Sequence, residues 1–152
     1  MASVLGSCHR HTEARVGTFS VTDPLASKQL VSGFYPAESG FRWAEPIFTF
    51  ALPIPEREGV RPATFRVSLY LPPNEIEQLG PVTITATGPE LQFGKVTYDK
   101  AGSHDFVVEI PPAVLCCTNV LPVTFSVDKY MRRANGDRRD LAVVVTKFDF
   151  RM

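Results

Sequence analysis

The sequence predicts an all-β chain: a two-sheet antiparallel β-sandwich with jelly-roll character and helix confined to short turns in the connections. Three observations predict it. Apolar and polar residues alternate with period two in segment after segment, as in strands that set one face on a core and the other in water. The apolar positions are rich in β-branched and aromatic residues, which suit a pleated, half-buried surface. Thirteen prolines fall mostly at the ends of these segments, where a residue without an N–H disturbs a ladder least.

Taken in order, "RVGTFSV" (15–21) and "KQLVSGFY" (28–35) read as strands. "IFTFALP" sets Phe48 and Phe50 on one face. "ATFRVSLYLPP" places Phe65, Val67, Leu69 and Leu71 on one side, with Arg66, Ser68 and Tyr70 opposite. "PPNEIEQLG" then frames one or two helical turns, with Pro73, an Asn74 cap, acidic first-turn residues and a terminal Gly80. "PVTITATGP" alternates Val82, Ile84 and Ala86 against threonines. "LQFGKVTYDKAG" reads either as a strand pair or as one irregular strand, because Gly94 interrupts it. "HDFVVEIPP" carries Phe106, Val108 and Ile110 in step, and "PPAVLCCTN" is a second single-turn connector. "LPVTFSVDKY" aligns Val123, Phe125 and Val127. In "DLAVVVTKFDF", Leu141, Val143 and Val145 fall out of phase with Phe148 and Phe150, which predicts a bulge near Thr146. About eight to ten short strands of this kind make a sandwich or a barrel, and the sandwich is preferred.

A chain of 152 residues is one domain in size. Residues 1–13 are expected to be a flexible segment and 14–152 the single sandwich domain. Sixteen basic residues balance sixteen acidic ones, which removes the long-range field that nucleic acid or anionic lipid requires. Neither partner is expected. No apolar run approaches the roughly 18 residues of a membrane span. The three cysteines, Cys8, Cys116 and Cys117, lack framework or metal-ligand spacing, so reduced thiols are expected, with no metal and no cofactor. Cys8, His9 and His11 form only a weak ligand cluster. Leu5-Gly6-Ser7-Cys8 looks like a lipobox without a leader, and the expectation is a cytoplasmic protein.

Two stretches carry polar chemistry. "GFYPAESGFRW" (33–43) packs Phe34, Tyr35, Phe41 and the only tryptophan, Trp43, beside Glu38, Arg42 and Glu45. A sugar ring has an apolar C–H face and a rim of hydroxyls, and an aromatic plane with a carboxylate and a guanidinium complements both. The competing reading makes Phe41 and Trp43 core plugs and pairs Arg42 with Glu38 or Glu45 to tie the loop down. We expect a mixture: Trp43 largely buried, Arg42 paired to a carboxylate, and ligand contacts from Tyr35, Glu38 and the Arg138–Arg139 side. "DKYMRRANGDRRD" (128–140) has its turn at Asn135-Gly136, the tip of a long hairpin-like connection with alternating charge. Enzymatic motifs are lacking. Ser103, His104 and Asp105 are sequence neighbours, which a strand throws to opposite faces. Glu38 and Glu45 would need a cleft deeper than so short a chain offers.

The stretches "GFYPAESGFRW", "FTFALPIP", "FRVSLYLPP", "GPVTITATG" and "DRRDLAVVVTKFDF" resemble the galactose-binding-like, jelly-roll accessory modules found beside bacterial glycosyltransferases and other polysaccharide enzymes. The resemblance runs from Gly33 to Arg151 and rests on loose motifs. It implies a non-catalytic, carbohydrate-binding-like module whose partner is a carbohydrate or a glycan-processing enzyme. By position it retains Glu38, Arg42, Trp43, Arg138 and Arg139. The expectation is a module that stands alone, with no catalytic domain attached, which would depart from that arrangement. The alternative is a structural or protein-interaction domain without a small ligand, able to form a homodimer through an edge strand. A small hydrolase is a weaker third.

Overall fold

Nine strands and three short helical turns realise this alternation in a computed structural model that describes residues 17–55, 61–132 and 139–152. The strands are β1 (Gly17–Ser20), β2 (Leu30–Phe34), β3 (Arg42–Pro53), β4 (Ala63–Leu71), β5 (Val82–Thr87), β6 (Gln92–Tyr98), β7 (Gly102–Ile110), β8 (Val120–Val127) and β9 (Val143–Arg151). A 3-10 turn spans Pro24–Gln29, and the two connectors are α1 (Pro73–Leu79) and α2 (Pro112–Leu115). The lipobox-like stretch, Cys8, His9, His11, Asn135, Gly136 and Arg138 lie outside the described residues.

Every strand pairing is antiparallel, and the hydrogen-bonded order is β6-β5-β8-β3-β9-β4-β7, with β1 added to β9 and β2 to β3. The path curls into a nearly closed sandwich because β3 serves both halves. Its Arg42–Ala44 stretch pairs with Val145–Val143 of β9, and Ile47–Pro53 pairs with Ser126–Val120 of β8. Glu45 and Pro46 lie between the two ladders, where Pro46 has no N–H to lose. Strands that bend from one sheet into the other make such corners.

Between the halves lies a phenylalanine core. Phe50 of β3 meets Phe65 of β4 and Phe148 of β9 at 5.1 Å, and Phe106 of β7 meets Phe125 of β8 edge-on at 5.3 Å. All of these rings are fully buried. The inward positions are those the alternation assigns: β4, for instance, buries Phe65, Val67, Leu69 and Leu71. The bulge is also where the phase change puts it. Ser68 faces Lys147 and Leu69 faces Val145, which leaves Thr146 unmatched, and its hydroxyl donates to the Ser68 carbonyl at 3.3 Å.

Several local readings need correction. The cap of α1 is Pro72, with no side-chain hydrogen bond, rather than Asn74: the extended Pro72 leads directly into Pro73 at the first helical position. Of the two readings of "LQFGKVTYDKAG", the one irregular strand is observed: β6 runs Gln92–Tyr98, with a register shift against β5 between Ala86 and Thr87. The tip of the connection from β8 to β9 lies outside the described residues, and β8 and β9 themselves do not pair. Met131 and Leu141 bridge, but β3 lies between the two strands in the sheet. The sulfurs of Cys116 and Cys117, expected as two separate thiols, lie in direct contact as a vicinal disulfide pair on an exposed turn.

Candidate functional site

Four of the sequence-derived candidates, Tyr35, Glu38, Arg42 and Arg139, interlock at one end of the sandwich. Gly33 makes this possible. It has φ +83°, and a Cβ there would collide with the Ile47 carbonyl oxygen and the backbone of Phe48, so only glycine lets β2 press this close to β3. The chain then turns through Pro36–Gly40, where the Glu38 N–H donates to Phe41 O at 2.8 Å. The Tyr35 hydroxyl donates to Asp140 O and accepts from Asp140 N, both at 3.1 Å. Arg139 lies over the Tyr35 ring, 5.4 Å from its centroid, and its Nη1 sits 3.5 Å from Glu38 Oε2.

Arg42 does not pair with a carboxylate. Its Nε donates to Val21 O at 2.8 Å and its Nη1 to Tyr35 O at 3.2 Å. Two backbone carbonyls that the strands leave unpaired attract the guanidinium, because a buried carbonyl without a donor is costly. These bonds hold the loop before β3 and the segment after β1 together. The polar atoms of Tyr35 and Arg42 are therefore engaged with the backbone, and Glu38 is the carboxylate that reaches solvent.

Trp43 is of intermediate burial, neither in the core nor fully exposed. Arg42 and Ala44 face Val145 and Val143, so Trp43 faces Val144 on the outer side of the sheet. Across β9, Tyr70 of β4 faces the same Val144. The two aromatics thus flank one valine in a single rank, their backbones two strand spacings, or about 10 Å, apart. Val144 is only 7% exposed although it points outward.

Below this rank the same face becomes polar. Lys147, Ser68 and Asp105 form the next rank across β9, β4 and β7, and Thr18, Asp149 and Arg66 the one after across β1, β9 and β4. Together with Arg151 these side chains line an open groove of about 220 Å³. Asp149 Oδ1 accepts from Thr18 Oγ1 at 2.7 Å and meets Arg151 Nε at 3.0 Å, while Asp105 Oδ1 accepts from Ser68 Oγ at 2.8 Å. The sequence placed Arg66, Ser68 and Tyr70 on the solvent side of β4 but gave them no role. The signal missed was the matching polar alternation in β9 and β7, which is decipherable only once the strands are paired.

Among the described residues, three buried polar groups elsewhere have no hydrogen-bond partner: the Glu75 carboxyl, the Gln29 amide and the Tyr98 hydroxyl. Burial pushes Glu75 up to about 8. Burial, with Asp105 adding to it, pushes Tyr98 up to about 12. Among the described residues no three His, Cys, Asp or Glu side chains gather as a metal site.

The architecture is an all-β, antiparallel, nearly closed sandwich with few short helices. No family model matches the chain, and no curated protein does. Among solved structures it aligns with a family 35 carbohydrate binding module from an environmental isolate, at 13% identity and TM-score 0.42, covering 93% of this chain and 90% of that one. It aligns with the xylan-binding module CBM15 at 11% identity and TM-score 0.41, covering 91% and 97%. A third match is the Arthrobacter globiformis T6 isomalto-dextranase complexed with panose, at 14% identity and TM-score 0.45, covering 89% of this chain but 23% of that enzyme. The chain thus spans about a quarter of the enzyme's length, and nearly the whole of the two binding modules.

Proposed function

We propose that this chain is a non-catalytic carbohydrate-binding module, accessory to glycan metabolism, that seats its ligand along the outer face of β3, β9, β4 and β7. The observation that carries this reading is the rank Trp43–Val144–Tyr70 running directly into the polar groove. Two aromatic rings offer planes for the C–H faces of sugar rings. The hydroxyls and carboxylates beyond them offer donors and acceptors for the sugar hydroxyls. Tyr35, Glu38, Arg42 and Arg139 then act mainly as the brace that orients β3, with Glu38 at the rim.

A glycan array read alongside Trp43 fluorescence tests it, since Trp43 is the only tryptophan. Binding that shifts the emission, and that weakens with Tyr70→Ala while the fold stays intact, supports the module. An array without a single hit, on protein shown to be folded, rejects it. That result favours the alternative of a protein-interaction domain, for which the backbone-engaged brace also speaks, and an edge-strand homodimer then becomes the first thing to measure.

A further inference from the structure

We infer that the glycan taken by this groove is acidic, with a sugar carboxylate seated between Arg66 and Lys147. The inference rests on the carbohydrate-binding reading and names its ligand class. The groove's two carboxylates are already engaged, Asp149 with Thr18 and Arg151, and Asp105 with Ser68. Arg66 and Lys147 make no hydrogen bond or ion pair among the described residues, and both are exposed. Arg66 faces Asp149, and Lys147 faces Ser68 two residues along β4 from Arg66, so the two cations are diagonal neighbours on adjacent strands. That relation puts their backbones about 7–8 Å apart, a gap that one carboxylate can bridge. Arginine presents a planar fork suited to such a group, and lysine a movable point charge.

The same charges argue against a dense polyanion. A DNA strand carries a charge about every 3.4 Å, and a chain of phosphates lying here would meet Asp105 and Asp149 as well as the cations. A polysaccharide with one carboxylate per sugar places hydroxyls against those acids instead. Trp43 and Tyr70 at the end of the groove suit the rings of the same chain.

The test is titration of the full chain with three uronate polymers (polygalacturonate, alginate and hyaluronan), methyl-esterified polygalacturonate, neutral xylan and mannan, dextran sulfate and single-stranded DNA. We expect at least one uronate polymer to bind, and to weaken at least tenfold with the Arg66→Gln/Lys147→Gln variant and in 0.5 M salt. If that polymer is polygalacturonate, esterification should weaken it similarly. The variant should keep the wild-type melting temperature. Equal binding of ester and acid, an unaffected double variant, or dextran sulfate or DNA binding as tightly as the uronates overturns the inference. Binding of neutral glycans alone also overturns it while leaving the carbohydrate-binding reading standing. No binding to any glycan removes both.

Discussion

Arg42 shows how a residue's charge can serve the backbone rather than a counter-ion. Its two donors close on Val21 O and Tyr35 O, so Arg42→Ala leaves two half-buried carbonyls without partners. Hydrogen bonds to a charged group contribute about 1.5–3 kcal/mol each when they are shielded. Part of that is recovered by water here, and we expect a loss of about 2–3 kcal/mol in urea denaturation. Glu75 gives a second prediction at this level. It is 1% exposed with both carboxyl oxygens unpartnered, and its folded-state value is raised from 4.5 to about 8. Between those values the folded chain holds a proton that the unfolded chain releases, so unfolding becomes easier as pH rises. Stability should be full below about pH 4.5 and fall progressively toward pH 8, by a few kcal/mol at about 1.4 kcal/mol per unit. Glu75→Gln should flatten that part of the profile. A wild-type and variant pair with parallel stability curves from pH 5 to 8 would contradict this.

At the level of single strands, the pairing of β2 with β3 depends on Gly33. Gly33→Ala imposes both a positive φ, worth roughly 1–2 kcal/mol against an L-residue, and a collision with the β3 backbone. The strand must lift away, and with it Phe34, whose ring packs on Phe48 at 5.5 Å and Phe50 at 5.2 Å. We expect destabilisation beyond about 2 kcal/mol, with the faster hydrogen exchange confined first to β2. Gly40 makes a useful control. Its φ is +80°, but a Cβ there meets nothing within 4 Å, so Gly40→Ala should cost only the conformational part. Strand β9 shows a different economy. Its Thr146 bulge re-phases the strand so that Val145 and Phe148 both reach the core, and outward positions resume at Lys147. Without the bulge, Lys147 would not stand in the groove.

Across the whole molecule, the outer face of one half carries the binding hypothesis, and the core stands apart from it. Trp43→Ala removes a half-buried ring that faces Val144 on the outer surface. The penalty should therefore fall below the roughly 3–5 kcal/mol of a fully buried aromatic. A tryptophan that anchors a ligand is worth about 2 kcal/mol or more, so glycan affinity should drop about thirty-fold, with circular dichroism unchanged. Phe50→Ala is the opposite case. Phe50 touches five other rings, and its loss should take about 3–5 kcal/mol from a domain that has the usual 5–15. A Trp43 variant that unfolds like the Phe50 variant would show the tryptophan to be structural.

The sequence by itself determined the strands, the inward set of phenylalanines, the two proline-led turns and the phase change at Thr146. All of these are local: side chains alternate with period two, proline lacks an N–H, and a slip in phase appears within a few residues. Tertiary structure decided the rest. Arg42 went to Val21 and Tyr35 because those carbonyls were the unpaired acceptors within reach, which no spacing of charges announces. Trp43 and Tyr70 share a rank only because β3 and β4 both pair with β9. Arg66, Asp105 and Lys147 meet for the same reason, from three strands scattered along the chain. Strand register is set by how well two sheets bury their inner faces against each other, and the outer faces are carried along with it. A groove on an outer face is therefore written across the pairing of the strands, where no single stretch of sequence displays it.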